Sequence, residues 1–256
     1  MPEYYKMVYP DAQLSDSTET IINQNTTTQP DKTPPPSLEE LEIDNDEEFI
    51  SFDVQTNLYK ATVSNENGGA FTFYELNNYA LNDSELVNLI DKSNRQNLGV
   101  SFRSIDGDLI NLSTGWKTTN QYDISVFSSS KTVSFYKTIE NKRISKEITF
   151  YPDRYVVDIK TNLSEASDII SQNVASISWP KGLPLTEPNR KDELTYYSAV
   201  VYQGDESYYP KAKARGQESL EKMLYPTDWV GIRTKYFFTA FVPEAKASGA
   251  EVLAVE

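Results

Sequence analysis

Lys131-Thr-Val-Ser-Phe-Tyr-Lys-Thr-Ile-Glu-Asn-Lys-Arg-Ile-Ser-Lys-Glu-Ile-Thr-Phe-Tyr-Pro-Asp-Arg-Tyr-Val-Val-Asp-Ile-Lys-Thr-Asn162 is the stretch whose pattern sets the fold class. Val133, Phe135 and Ile139 alternate with Thr132, Ser134 and Thr138. Glu140 to Arg143 reads as a turn. Ile144, Ile148 and Phe150 then share one side of a second strand, against Ser145, Glu147 and Thr149. Pro152-Asp153-Arg154 turns again, because proline is preset for the first corner. Tyr155, Val157, Ile159 and Leu163 oppose Asp158, Lys160 and Asn162. Period-two alternation over three consecutive runs predicts three antiparallel strands with one wet face.

The same signals extend toward the N-terminus. Phe52, Val54 and Thr56 alternate with polar residues, and Tyr59-Lys-Ala-Thr-Val63 follows as an extended run. Asn65-Glu66-Asn67-Gly68-Gly69 reads as a turn, because glycine takes positive φ at little cost. Ala70–Leu76 is the next strand. Asn82 to Lys92 has helix signals: Asn82 as cap, Glu85 reaching back, and Leu86, Leu89 and Ile90 on one side. Strands are expected at Gly99–Ser104 and Asp108–Asn111, with Gly107 between them. Gly115-Trp116-Lys117 opens a polar stretch with no assignment.

Toward the C-terminus, Val174–Trp179 reads as a strand stopped by Pro180. Leu183 to Leu194 is a proline-rich charged loop, and Thr195 to Tyr202 is strand-like and apolar on both sides. Gln217 to Leu224 reads as a short helix. Tyr236-Phe-Phe-Thr-Ala-Phe-Val242 has two apolar faces, predicting a core strand covered on both sides and ended by Pro243. Glu244 to Glu256 holds one short apolar run, Val252-Leu-Ala-Val255, expected to pair as a strand stub. No repeat period is visible.

Charge is distributed unevenly. The net charge is −14, and residues 1–50 carry 12 acidic and 2 basic residues. Residues 11–48 are polar and proline-containing, and 7 of the 12 residues from Ser37 to Glu48 are acidic. Such a segment buries too little apolar area to offset the roughly 1–2 kcal/mol per residue of backbone entropy. It is expected to be a disordered acidic linker, with one possible helical turn at Ser37-Leu-Glu-Glu-Leu41. Tyr4, Tyr5 and Tyr9 fit either an interfacial belt beside a membrane helix or an ordinary terminus. The division expected is residues 1–48 as an N-terminal segment and linker, and 49–256 as a β-sandwich domain.

There are no cysteines and no histidines. That excludes disulfides, His- or Cys-based zinc sites and any triad with a histidine base. Lysine and arginine do not cluster, so no nucleic-acid partner is expected. No apolar run reaches about 18 residues, the length needed to span a bilayer.

Three ordered blocks carry a family resemblance. Trp229-Val-Gly231 followed by Lys235-Tyr-Phe-Phe-Thr-Ala-Phe-Val-Pro243 resembles a signature of the YidC family of bacterial membrane protein insertases. Val54-Gln-Thr-Asn57, Gly68-Gly-Ala70 and Leu76-Asn-Asn-Tyr79 resemble a second. Phe135 to Ile139 with Lys146 to Asn162 resembles a third. In that family these blocks lie in the large periplasmic domain. That the N-terminal segment of residues 1–48 is juxtamembrane is an implication of this resemblance alone. The resemblance implies an all-β, antiparallel β-supersandwich like galactose mutarotase, with a few short helices. It implies a non-enzymatic domain on the periplasmic face of the inner membrane, in a multi-pass parent that helps membrane proteins insert and fold. The implied partners are the insertase's own transmembrane core, Sec translocon components and nascent membrane proteins. The family's domain continues for several strands past the Tyr-Phe signature, which implies truncation here, with a closing strand missing. No cofactor and no catalytic, cofactor-binding or metal-ligating residue is assigned, and the residues that would bind a partner or client are unknown. Two rival readings are a carbohydrate-binding module, given 17 tyrosines, and a mutarotase-like sugar enzyme. The second lacks the histidine acid of that mechanism.

Overall fold

The computed structural model describes residues 7–8, 49–82, 85–91, 96–211 and 218–255. The expectations for the N-terminal tyrosines and for residues 11–48 lie outside the described residues. The chain divides into two units, one of Met1–Ala12 with Phe49–Glu256 and one of Gln13–Glu48. All described strands belong to the first. They form five sheets, antiparallel except for one parallel pair. The all-β antiparallel class is therefore as expected.

Lys131–Ile139 and Lys142–Phe150 form a hairpin nine residues deep, closed by Glu140 and Asn141 at φ 48° and 63°. Two consecutive positive φ values match the right-handed twist of the flanking strands. Asp158–Asn162 adds a third strand. It is shorter than the alternation suggested. Tyr155 and Val156 lie before it and are exposed, and the Tyr155 carbonyl accepts a hydrogen bond from the Tyr74 hydroxyl at 2.9 Å.

The buried side of this hairpin packs on a five-stranded sheet. Its order is Glu85–Asn88, Ala70–Asn82, Tyr59–Ser64, Ser51–Thr56 and Ile124–Val126. The last pairs in parallel with Val54–Thr56. Phe52 stacks with Phe135 at 6.4 Å between centroids, and Phe71 meets Phe150 edge-on at 6.3 Å. The turn between Tyr59–Ser64 and Ala70–Asn82 is a 3-10 turn with Asn67, Gly68 and Gly69 at positive φ.

One residue of the buried row is charged. Ile144, Lys146, Ile148 and Phe150 alternate inward, and Lys146 is fully buried. Its ammonium donates to the Asn67 and Leu98 carbonyls at 3.1 and 2.6 Å. Both acceptors are non-glycine residues at positive φ, so the lysine ties two strained turns together.

Three expectations need correction. The helix expected over Asn82 to Lys92 is not seen in its described part: Glu85–Asn88 is a strand folded back on Ala70–Asn82. The Asn88 side chain accepts from Tyr74 N and Ile90 N, which holds the extended form. The helix expected over Gln217 to Leu224 is likewise replaced in its described part. Glu218–Met223 is a strand paired with Ala250–Val255, and that sequence-distant pairing overrides local helix propensity. Ala250–Val255 contains the predicted apolar stub and is paired on its other side by Met7–Val8. The chain's α-helix within the described residues is Arg190–Leu194, inside the expected loop.

The third correction concerns Tyr236 to Val242. Only Phe238–Phe241 is strand, and it lies at the end of a sheet ordered Glu206–Tyr208, Ser198–Gln203, Thr227–Arg233, Phe238–Phe241. One face carries Thr239 and Phe241, opposite Ile232 and Val230, toward the core. Phe238, on the other, is 51% exposed. Two apolar faces here mean one core face and one face open to solvent, not a covered central strand. Phe238→Ala is therefore expected to lower stability by only about 1 kcal/mol, against the 3–5 kcal/mol typical of a fully buried phenylalanine. Urea unfolding of the two variants Phe238→Ala and Phe135→Ala, side by side, checks this.

Candidate functional site

The outer face of that end sheet carries an open cleft of about 340 Å³, lined among others by Tyr209, Trp229, Arg233, Tyr236 and Phe238. Strand alternation places it. Along Thr227–Arg233, Val230 and Ile232 point inward, so Trp229, Gly231 and Arg233 point outward. Along Ser198–Gln203, Ala199 and Val201 are buried in the core, and Val200 and Tyr202 take the outer side.

Aromatic rings build the wall. Tyr202 stacks on Trp229 with centroids 5.5 Å apart and planes 7° off parallel. Phe238 meets the same indole edge-on at 5.4 Å. The Phe238 ring lies so close to Gly231 that a Cβ there would stand 2.6 Å from its Cζ. Glycine at 231 is therefore required for the ring to lie down on the sheet.

The far rim is a tight turn. Thr234 N donates to the Phe237 carbonyl at 2.8 Å, and the Thr234 hydroxyl accepts from Phe237 N at 3.2 Å. This projects Lys235 and Tyr236 outward. Lys235 donates to Asp192 at 2.7 Å. Asp192 sits on the short helix capped by the Asn189 side chain. That carboxylate holds the Lys235 ammonium above the ordinary lysine range. Its charge is locally offset.

Arg233 is held differently. Its Nε donates to the Tyr196 carbonyl at 3.2 Å and to the Ser198 hydroxyl at 3.1 Å. Its guanidinium lies over the Tyr209 ring, 5.6 Å from the centroid. Among the described residues it belongs to no ion pair.

The arrangement offers aromatic platforms, one oriented cation and a neighbouring strand edge. Such a surface binds by stacking and hydrogen bonding. Among the described residues no three His, Cys, Asp or Glu side chains come together as a metal site, and no helix is long and apolar enough to cross a membrane.

No site residue was assigned from sequence, although the Trp229 to Pro243 stretch contributes most of the wall. The exposure of Phe238 and the seating of Arg233 were missed. Neither leaves a local signal, since Tyr196, Ser198 and Tyr209 come from distant turns and strands. Lys146 did leave one, a charge in the middle of an apolar row.

Comparison with known proteins places these features in a family. The family described as the YidC periplasmic domain matches residues 51–255. A membrane protein insertase YidC of Syntrophus aciditrophicus is 28% identical over 82% of this chain and 39% of its own length. One from Chlorobaculum tepidum is 28% identical over 77% of the chain and 34% of its own. One from Chlorobium luteolum is 32% identical over 44% of the chain and 20% of its own. The chain thus spans well under half the length of these curated relatives. No solved structure matches.

Proposed function

From the premise that this chain belongs to the YidC periplasmic domain family, we propose that it is the periplasmic part of an inner-membrane insertase and that its aromatic cleft docks extended segments of client polypeptides. Membership is supported by the match over residues 51–255 and by relatives named as membrane protein insertases. The observation that carries the docking role is the wall of Trp229, Tyr236 and Phe238, left open to solvent by the family-signature stretch itself. Among the described residues the outer edge of Phe238–Phe241 pairs with no further strand, and it lies next to that wall. Strand addition supplies backbone hydrogen bonds, and the pockets beside it select alternate side chains. In this reading the transmembrane core of the same insertase receives what the domain presents, and Sec translocon components are further partners.

Site-specific photocrosslinking tests the proposal. A photoreactive residue replacing Tyr236, which is 59% exposed, should crosslink to membrane-protein clients during their insertion. The same probe at Tyr122, 79% exposed and outside the cleft, should not. Equal crosslinking from both positions, or none from Tyr236, would overturn it. A carbohydrate-binding role is the second reading, favoured by the same stacked Tyr202 and Trp229 rings. Oligosaccharides that quench Trp229 fluorescence where peptides do not would establish it instead.

A further inference from the structure

The outer face of the end sheet contains a charge that the described residues position but do not neutralise. Arg233 uses Nε to grip the Tyr196 carbonyl and the Ser198 hydroxyl, and its plane rests over Tyr209. Its two Nη groups hydrogen-bond to none of the described residues. The other cation of the lining, Lys235, is bonded to Asp192. Arg233 is thus an oriented guanidinium with its fork free. A planar fork matches a carboxylate through two parallel hydrogen bonds.

Register adds a distance. Arg233 is the cross-strand partner of Phe238, and Gly231 that of Ala240. Arg233 therefore leaves the same sheet face as Phe238 and Trp229, with Phe238 beside it on one flank and Ser198, which its Nε grips, on the other. In an extended ligand, residues i and i+2 project to the same side about 7 Å apart. One such pair reaches both features.

We propose that Arg233 is a carboxylate anchor and that the cleft selects extended polypeptide segments with an acidic residue two positions from an aromatic or large aliphatic one. The inference rests on the client-docking reading above and adds the chemistry of the segment. Asp or Glu lies on the Arg233 fork, and the apolar neighbour lies against Trp229 and Phe238 over Gly231. A segment with lysine at the acidic position meets an unscreened like charge.

Fluorescence anisotropy on the full chain tests it with three labelled peptides of the same extended sequence. They carry Glu-x-Phe, Gln-x-Phe or Lys-x-Phe. The Glu peptide should bind about tenfold tighter than the Gln peptide, and the Lys peptide weakest, with the preference shrinking as salt rises. Arg233→Met should abolish the preference, so that the Glu and Gln peptides bind alike. Arg233→Lys should recover only part of the preference, because it restores charge without the fork. Urea midpoints confirm that each variant is folded. If Arg233→Met does not fold, the three-peptide series on the unaltered chain still decides. Equal binding of the three peptides, all weakened by Trp229→Ala, would overturn the anchor and leave the docking reading intact. Absence of binding by all three, with oligosaccharide binding in its place, would overturn both.

Discussion

The stability of this domain should rise between about pH 7 and pH 10, and Lys146→Met should abolish that rise. Lys146 is fully buried, and burial pushes its pKa down to about 7. The unfolded chain holds its proton up to the ordinary lysine value near 10.4. Between those limits the unfolded state binds a proton that the folded state does not. Stability therefore increases with pH across the window, by at most about 1.4 kcal/mol per unit. Below pH 7 both states are protonated, and this group contributes no further slope. Methionine has similar length and no proton, so its curve lacks the rise. It also removes the Lys146 donor from the Asn67 and Leu98 carbonyls, at about 0.5–1.5 kcal/mol per lost hydrogen bond. The difference between the two urea-derived stability curves isolates the lysine from every other titrating group. Parallel curves would show that Lys146 keeps an ordinary pKa.

Gly69→Ala should be the most damaging of the glycine substitutions tested alongside it, at about 2–4 kcal/mol, summing backbone strain and overpacking. Gly69 has φ of 111°, and a Cβ there would stand 2.5 Å from Ile148 Cδ1 and 2.8 Å from Phe135 Cε2. Both neighbours belong to the buried side of the Lys131–Phe150 hairpin, so they have little room to retreat. Gly107→Ala is the control. Its φ is 94°, but nothing lies within 4 Å of the added carbon. It carries the backbone strain alone, about 1–2 kcal/mol. Equal losses for the two variants in thermal or urea unfolding would mean that the crowding at position 69 costs nothing.

Where a strand's partners are its sequence neighbours, the sequence was readable. Lys131–Ile139 and Lys142–Phe150 carry their pairing, turn and inward face within twenty residues, and alternation sufficed. The Gly-Gly turn was readable for the same reason. Glu218–Met223 was not, because Gln-Glu-Ser-Leu-Glu-Lys-Met-Leu has helical composition and its strand form depends on Ala250–Val255. There the sheet buries Ser219 and leaves Leu220 47% exposed, the reverse of what hydrophobicity suggests. Tyr236 to Val242 misled differently. An apolar side chain that fills a core and one that lines a binding wall have the same composition, so Phe238 could not be told apart. The cleft's cation was unreadable because its grip on Tyr196 spans 37 residues and crosses two strands. The Trp229 to Pro243 block contains most of the wall residues, but nothing in it signals that they face outward.

The parallel pairing of Ile124–Val126 with Val54–Thr56 has a consequence in time. A chain delivered N-terminus first can zip Ser51–Thr56, Tyr59–Ser64 and Ala70–Asn82 as soon as they emerge, since each pairs with the next. The free edge of Ser51–Thr56 must wait some seventy residues for its partner. The Asn67 carbonyl waits longer still, 79 residues, and the Leu98 carbonyl 48, for Lys146. Throughout that interval the nascent sheet presents open amide groups and an uncovered apolar face, the condition in which strands recruit other chains. Arrest of synthesis after residue 126 but before residue 146 would close the edge and leave the face bare, which separates the two hazards along the length of the emerging chain.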